Sequence, residues 1–180
     1  MTPAAFLHLL WQGKPDPLYV LIWVRQRRTS HWFRDVAAAA DFVQKTGAHS
    51  DVYVGVGLSG RDYGPEHRCI SEEVKGLGGL WADFDLQSEA HNKKPLPATI
   101  EEALGIIPAE LMPTVIIATG NGLHAWWLFK EPWIFENEAE RKKAAALRDC
   151  RTITFTIQNV FVRCWMHEFD GRPAGHYLVS

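Results

Sequence analysis

Short apolar runs of strand length recur along this chain and are separated by turn residues. Residues 18–24 form a continuous apolar run, and residues 51–58 combine β-branched and aromatic positions, so both predict strands. Residues 79–85 predict a further strand. Residues 114–119 and 123–129 are rich in β-forming residues and flank a Gly-Asn-Gly turn, which predicts a β-hairpin.

Segments with helical features lie between these strands. Asp35 is expected to start a helix that Gly47 ends. Thr99 is followed three residues later by Glu102, the capping-box pattern at the start of a helix. Residues 136–149 intersperse acidic and basic side chains and predict a third helix. Residues 59–78 are polar and rich in glycine, which predicts a long loop of the kind that often carries function.

The mixture of strand and helix patterns predicts an α/β or α+β fold. The chain has 180 residues, of which 47% are hydrophobic and 22% charged, and this suits a globular domain with its own core. We expect residues 1–150 to form that core. Beyond residue 150 the periodicity weakens, and residues 151–180 are expected to be an incomplete or degenerate C-terminal part of the same domain.

Composition narrows the cellular setting. No apolar run reaches the roughly 18 residues that a membrane span needs. The apolar N-terminus lacks the basic region and cleavage site of a signal peptide, so we expect a cytoplasmic protein without a membrane partner. Cys69, Cys150 and Cys164 have no paired spacing, which favours free thiols over a zinc site or disulfides. The net charge of −2 neither indicates nor excludes nucleic acid.

Two acidic residues share one predicted strand. Alternate residues of a strand face the same side, so Asp83 and Asp85 project together, and their neighbours Trp81 and Phe84 are apolar. Buried carboxylates are costly unless they are paired, and their oxygens suit Mg²⁺ or Mn²⁺. The alternative is an exposed polar pair at the end of a strand.

A histidine follows the glycine-rich turn of the predicted hairpin. Glycines there let a bulky ligand approach the backbone, and His124 is placed to donate to a phosphate oxygen. The alternative is an exposed histidine in a tight hairpin. The chain order, from the acidic strand through a helix and a strand to the histidine strand, allows Asp83, Asp85 and His124 to meet on one face.

A basic and aromatic patch precedes the first predicted helix. Cations with interleaved aromatic rings suit single-stranded nucleic acid, and the alternative is a strand end followed by a solvated turn. The patch combines four arginines with four aromatic side chains, namely Arg25, Arg27, Arg28 and Arg34 with Trp23, His31, Trp32 and Phe33.

Two segments resemble a known family. GLWADFD, residues 79–85, resembles the acidic motif of the archaeo-eukaryotic primase superfamily, and TGNGLHAWWLF, residues 119–129, resembles its histidine motif in the form found in primase–polymerases of plasmids and phages. The similarity covers about residues 32–132. The resemblance implies an RRM-like, largely antiparallel sheet with flanking helices, and a DNA primase or polymerase activity on nucleoside triphosphates.

The resemblance also implies roles for individual residues. Asp83 and Asp85 would bind two catalytic metals, Mg²⁺ or Mn²⁺, and His124 would contact the triphosphate of the incoming nucleotide. The turn residues that would shape the nucleotide pocket are Thr119, Gly120, Asn121 and Gly122. From charge and position alone, the loop cations Arg61, Arg68 and Lys75 are further candidates for binding phosphate. A nucleic-acid template and primer, and a replicative helicase, are the expected partners.

The C-terminus departs from the family pattern. The third motif of the family carries another acid, and here only Glu168 and Asp170 are available in a segment that resembles its opening. Asp170 is therefore a weaker candidate metal ligand. A catalytically incomplete nucleic-acid-binding replication protein with the same fold remains an alternative. A metal-dependent nuclease of the replication-initiator kind ranks third. Such a nuclease needs two nearby histidines on one strand and a tyrosine on a helix, and the strand of His124 carries only that one histidine.

Overall fold

The computed structural model describes residues 1–87, 96–119 and 122–148. The segment 151–180, with the candidate acids Glu168 and Asp170, lies outside these residues, as do Gly120, Asn121, Cys150 and Cys164. Four α-helices and seven strands are present in the described part of the chain. In chain order they are α1 Pro3–Leu10, β1 Val20–Val24, β2 Thr29–Phe33, α2 Val36–Gly47, β3 Val52–Val54, β4 Gly57–Ser59, β5 Val74–Asp85, α3 Ile100–Gly105, β6 Val115–Ala118, β7 Gly122–Ile134 and α4 Glu138–Arg148.

The strands form two sheets. One has three strands in the order β2-β1-β3, and the other has four in the order β4-β5-β7-β6. The pairs β1–β2, β1–β3, β4–β5 and β6–β7 are antiparallel. The predicted mixed fold of helices with antiparallel sheets is therefore confirmed. No helix in the described ranges is both long and apolar enough to cross a membrane.

The chain divides into two compact units. Within the described residues, one unit contains residues 1–79 and 129–142, and the other contains residues 80–128 and 143–148 with the gaps noted above. The boundaries fall inside β5 and inside β7, so each of these long strands contributes residues to both units.

In the first unit, helix α2 covers one face of the three-stranded sheet. His31 and Phe33, from β2, both pack against Phe42 of α2, with ring centroids 4.4 and 5.3 Å from it. The same face carries Ile22, which is fully buried and pairs with His31. Asp35 caps α2 by accepting hydrogen bonds from the backbone N–H groups of Ala37 and Ala38, as the sequence predicts.

Two elements of the first unit were not predicted. The apolar N-terminus forms α1, where the Thr2 hydroxyl accepts a hydrogen bond from the Ala5 N–H and Pro3 occupies the first turn. Residues 29–33, interpreted as part of a solvated or ligand-binding patch, form β2. Both faces of β2 make aromatic contacts. Its residues therefore do not alternate between apolar and polar, and the sequence gives no clear strand signal.

The boundaries of two predicted strands change in the structure. The predicted strand 51–58 is divided into β3 and β4, which belong to different sheets. The predicted loop 59–78 ends earlier than expected, because β5 begins at Val74. Glycines at the start of β5 suggested a loop, but they admit close neighbours: a Cβ on Gly78 would lie 2.2 Å from the Leu10 carbonyl oxygen, and one on Gly76 would lie 2.6 Å from the Trp133 carbonyl oxygen.

In the second unit, α3 begins as its capping pattern predicts. The Thr99 hydroxyl accepts a hydrogen bond from the Glu102 N–H at 3.2 Å, and the Glu102 carboxylate accepts one from the Ala98 N–H at 2.7 Å. The helix buries Ala103 in an apolar cluster with residues of β5 and β7. The predicted hairpin is also observed, with β6 and β7 in antiparallel register from Ala118–Leu123 to Val115–Trp126.

The close packing at Gly78 leads to a first stability test. A Gly78→Ala substitution places a methyl group against a backbone oxygen that cannot move aside cheaply, so we expect the free energy of unfolding to fall by about 1–3 kcal/mol. Gly47→Ala, at the end of α2 where an added Cβ meets nothing within 4 Å, is the matched control and should be neutral or slightly stabilising. Urea unfolding of both variants measures the difference. Equal losses of stability in the two variants would show that Gly78 does not pack against Leu10 as described.

Candidate functional site

The alternation of β5 separates its acids from the apolar core of the second unit. Ala82 and Phe84 are buried in a cluster with Ala103, Ile107, Leu123 and Ala125. Because successive side chains of a strand face opposite sides, Asp83 and Asp85 project from the other face of β5. The core therefore determines where the carboxylates point.

The neighbouring strand β7 obeys the same alternation. Leu123 and Ala125 enter the apolar cluster, so His124 projects from the face that carries the acids. His124 Nε2 lies 3.5 Å from Asp83 Oδ1. The structure thus brings together two of the three residues on which the sequence prediction depends, and it places the third, Asp85, two residues along the same face.

The two partners differ in their access to solvent. The side chain of Asp83 is 36% exposed, whereas that of His124 is 5% exposed. Burial lowers the pKa of His124 to about 4, so the imidazole is neutral at pH 7. The contact therefore joins the Asp83 carboxylate to a neutral imidazole. It would become an ion pair only if His124 were protonated. At 3.5 Å it is longer than a strong hydrogen bond.

One tryptophan packs against the histidine, and a second stacks on the first. The Trp81 ring meets His124 edge to face, with centroids 5.4 Å apart, and it stacks on Trp126 at 5.6 Å. Both tryptophans are buried. Trp81 therefore covers part of the imidazole, whose burial lowers its pKa. The prediction treated Trp81 only as an apolar neighbour and did not place Trp126 in the site, yet each lies two residues from a predicted site residue on the same strand.

The residues on either side of the turn before β7 have a packing role. The Thr119 N–H donates to the Gly122 carbonyl oxygen at 2.9 Å, which closes the hairpin. A Cβ on Gly122 would lie 2.2 Å from the Phe84 carbonyl oxygen and 3.4 Å from the Asp85 Cα. Glycine at position 122 therefore allows β7 to approach β5 next to the acids. Gly120 and Asn121 lie outside the described residues.

The predicted phosphate-binding cations Arg61, Arg68 and Lys75 belong to the first unit. Arg61 forms an ion pair with Glu73 at 3.1 Å and lies over the Tyr63 ring at 4.4 Å. Lys75 is exposed on β5. Arg68 lies over the ring of Trp23, 4.5 Å from its centroid. Their assignment to the nucleotide site stays a prediction.

The predicted nucleic-acid residues lie on the three-stranded sheet and its turn. Arg25 forms an ion pair with Asp51 at 3.5 Å. Trp32 is half-buried and donates its indole N–H to the Gly64 carbonyl oxygen at 3.0 Å. Arg27 and Arg28 are exposed in the turn between β1 and β2, where Arg28 has a φ of 53°.

The donor chemistry of the acidic face suits a hard cation. Asp83 and Asp85 offer carboxylate oxygens, and Mg²⁺ is commonly held by one or two carboxylates together with the phosphates of a substrate. Within residues 1–87, 96–119 and 122–148, no group of three or more His, Cys, Asp or Glu side chains is arranged to hold a metal ion. Asp170, the candidate third acid, lies outside these residues.

Comparison with known proteins adds no relative. No protein-family model, no curated protein and no solved structure matches this chain. The geometry of the site and the sequence motifs are therefore the grounds for a functional proposal.

The lowered pKa of His124 predicts a specific loss of stability in acid. The folded-state pKa of about 4 lies below the ordinary value of 6.5, so the unfolded chain binds the proton more readily. Stability from the neutral ring is complete above about pH 6.5 and is lost as the pH falls toward 4. Between pH 7 and pH 5 the wild type should lose about 2 kcal/mol more than a His124→Gln variant does.

Urea unfolding at the two pH values measures this difference, with His8→Gln, a change at an exposed histidine, as the control. The His8 variant should follow the wild type. If the His124 variant also follows it, the imidazole is not buried as described.

Proposed function

We propose that this chain is a nucleotidyltransferase of the primase–polymerase type, related to the archaeo-eukaryotic primase superfamily, that adds nucleotides to a nucleic-acid strand. The observation that carries the proposal is the contact between Asp83 and His124 on neighbouring strands, with Asp85 on the same face. These are the side chains of the two motifs that resemble the family. A resemblance in sequence alone would leave the two motifs free to lie on opposite faces.

The order of elements is further support for the family's RRM-like sheet. The chain runs β5, α3, β6, β7, α4, and the sheet order is β5-β7-β6. Strand β6, which follows helix α3, is therefore not the neighbour of β5. Strand β7 lies between β5 and β6. This order resembles the split β-α-β arrangement of ferredoxin-like and RRM-like sheets, and it supports the proposed relationship.

The proposed reaction joins a nucleotide to a strand end. The 3′-oxygen of the strand forms a bond to the α-phosphorus of a nucleoside triphosphate, the bond from that phosphorus to the bridging oxygen breaks, and pyrophosphate leaves. The hydroxyl proton passes to solvent or to a basic oxygen at the site. Divalent cations would supply charge stabilisation and a lowered hydroxyl pKa. Asp83 and Asp85 would hold them, with substrate phosphates as further ligands.

The burial of His124 refines its proposed role. A side chain that is 5% exposed offers little surface to a triphosphate. Its close contact with Asp83 suits a positioning residue that orients the carboxylate, in the way that buried partners orient metal ligands. Trp81, itself stacked on Trp126, would keep the ring in place.

A primer-extension assay with Mn²⁺ or Mg²⁺ tests the proposal. Asp83→Asn and Asp85→Asn keep the shape of the side chains but remove the charge that holds a cation. We expect each to reduce extension by at least about 100-fold, beyond the 10- to 100-fold typical of groups that only support metal ligands. Asp41→Asn, at an exposed acid of α2, is the charge-matched control and should retain wild-type activity.

The same assay, titrated with Mn²⁺, tests the positioning role of His124. His124→Gln should raise the cation concentration at half-maximal activity, whereas a purely structural loss would lower the rate at every concentration. Wild-type protein that binds DNA but extends no primer under any condition would favour the catalytically incomplete replication protein. Extension that survives both Asp substitutions would rule out the enzymatic site.

A further inference from the structure

The face of the sheet that carries the acids continues past the histidine onto β6. Ile117 is the register partner of His124 in the pair of β6 and β7. Residues directly opposite each other in an antiparallel pair project to the same side of the sheet, so Ile117 shares the face of His124. The imidazole in turn lies 3.5 Å from Asp83 of β5. Asp83, His124 and Ile117 therefore form one row across three neighbouring strands.

The next row on this face is apolar. Trp81 stacks on Trp126 at 5.6 Å, and Trp126 is the register partner of Val115. Val115 and Ile117 are thus the two side chains that β6 presents on this face, and neither of them can donate or accept a hydrogen bond. The residues of both rows belong to the second unit.

Solvent reaches this face on both sides of the histidine. The side chain of His124 is 5% exposed, and Trp81 and Trp126 are buried as well. Asp83 is 36% exposed, and Ile117 is partly exposed. The buried imidazole therefore lies between two side chains that a ligand can reach, a carboxylate on one side and an aliphatic group on the other.

The separation of these two side chains suits a nucleotide. Neighbouring strands lie about 4.8 Å apart, so the backbones at Asp83 and Ile117 are separated by about 10 Å. A cation held by Asp83 would lie about 2 Å from its carboxylate oxygens and would bind phosphate oxygens on its other side. The sugar and base attached to that phosphate would then reach the side chain of Ile117.

We infer that Ile117 contacts the substrate, and that its side chain packs against the nucleoside part of a nucleoside triphosphate whose phosphates bind at the acids. The inference rests on the proposed function and adds to it a residue that neither motif contains. The carbon atoms of a sugar and a base gain free energy from contact with aliphatic surface. An isoleucine has no hydrogen-bonding group that reads a particular base, so the contact suits a site that accepts all four nucleotides.

Strand β6 provides a matched control. Ile116 carries the same side chain one position earlier and faces the opposite side, where it is the register partner of Ala125. Ala125 belongs to the apolar cluster under α3, on the face away from the acids. Threonine keeps the β-branched shape that suits a strand and replaces the ethyl group of isoleucine with a hydroxyl. Ile117→Thr and Ile116→Thr therefore make the same chemical change on the two faces.

Calorimetric titration of the full chain with a nucleoside triphosphate and with inorganic tripolyphosphate, both with Mg²⁺, tests the inference. Ile117→Thr should weaken binding of the nucleoside triphosphate roughly tenfold, the effect of removing about two apolar carbon groups from a contact. It should leave the affinity for tripolyphosphate unchanged, because that ligand has no nucleoside. Ile116→Thr should leave both affinities at the wild-type values.

Three results would overturn the inference. They are equal losses of affinity in the two threonine variants, an equal loss for both ligands in Ile117→Thr, and a wild type that binds no nucleoside triphosphate. Urea unfolding checks that both variants are folded. If Ile117→Thr is not, Ile117→Val replaces it in the titration, and its loss of one methyl group should weaken binding of the nucleoside triphosphate about fourfold.

Primer extension keeps this inference separate from the proposed function. Ile117→Thr should raise the KM for the nucleotide roughly tenfold and leave kcat unchanged, because the contact is made equally before and during the reaction. Asp83→Asn should instead lower extension at every nucleotide concentration. Nucleotide binding that depends on Ile117 in a protein that extends no primer would support the contact and reject the polymerase. Extension with the same KM in the Ile116 and Ile117 variants would support the polymerase and reject the contact.

Discussion

The strand alternation of β5 and β7 is the constraint on which the candidate site depends. One set of side chains, including Phe84 and Leu123, closes an apolar cluster under α3. The intervening residues must then face the other way, and so the Asp83 carboxylate meets the His124 ring at 3.5 Å. A shift of either strand by one residue would turn these polar side chains into the apolar cluster, so the packing of the core holds the geometry of the site.

Local signals in the sequence predicted the parts of the fold that depend on local physics. The caps at Asp35 and Thr99 and the hairpin between β6 and β7 follow from side-chain hydrogen bonds and turn residues within a few positions. The errors come from long-range packing. The glycine-rich start of β5 resembles a loop until Leu10 and Trp133 are seen against it, and β2 is recognisable only with Phe42 on one side and the loop on the other.

The same distinction between local signals and long-range packing applies to the candidate site. Asp83, Asp85 and His124 were predicted from residue type, strand period and order along the chain, and the structure places them on one face. Trp81, which packs on the imidazole, and Trp126, which stacks on Trp81, follow the same two-residue period. They were not placed in the site, because apolar residues in a strand ordinarily indicate core. Charge alone could not distinguish the environments of the cations, since it does not show that Arg61 pairs with Glu73 or that Arg68 stacks on Trp23.

The proposed divalent cation, held by Asp83 and Asp85, lies beside the imidazole of His124, and paramagnetic broadening by Mn²⁺ detects a cation at this place. In a spectrum of the histidine ring protons, the signal that disappears in a His124→Gln variant identifies this residue. Substoichiometric Mn²⁺ should broaden that signal before the signals of the other histidines, although His124 is among the most buried residues of the described chain. Broadening that spares His124 while it affects exposed histidines such as His8 and His67 would contradict the account.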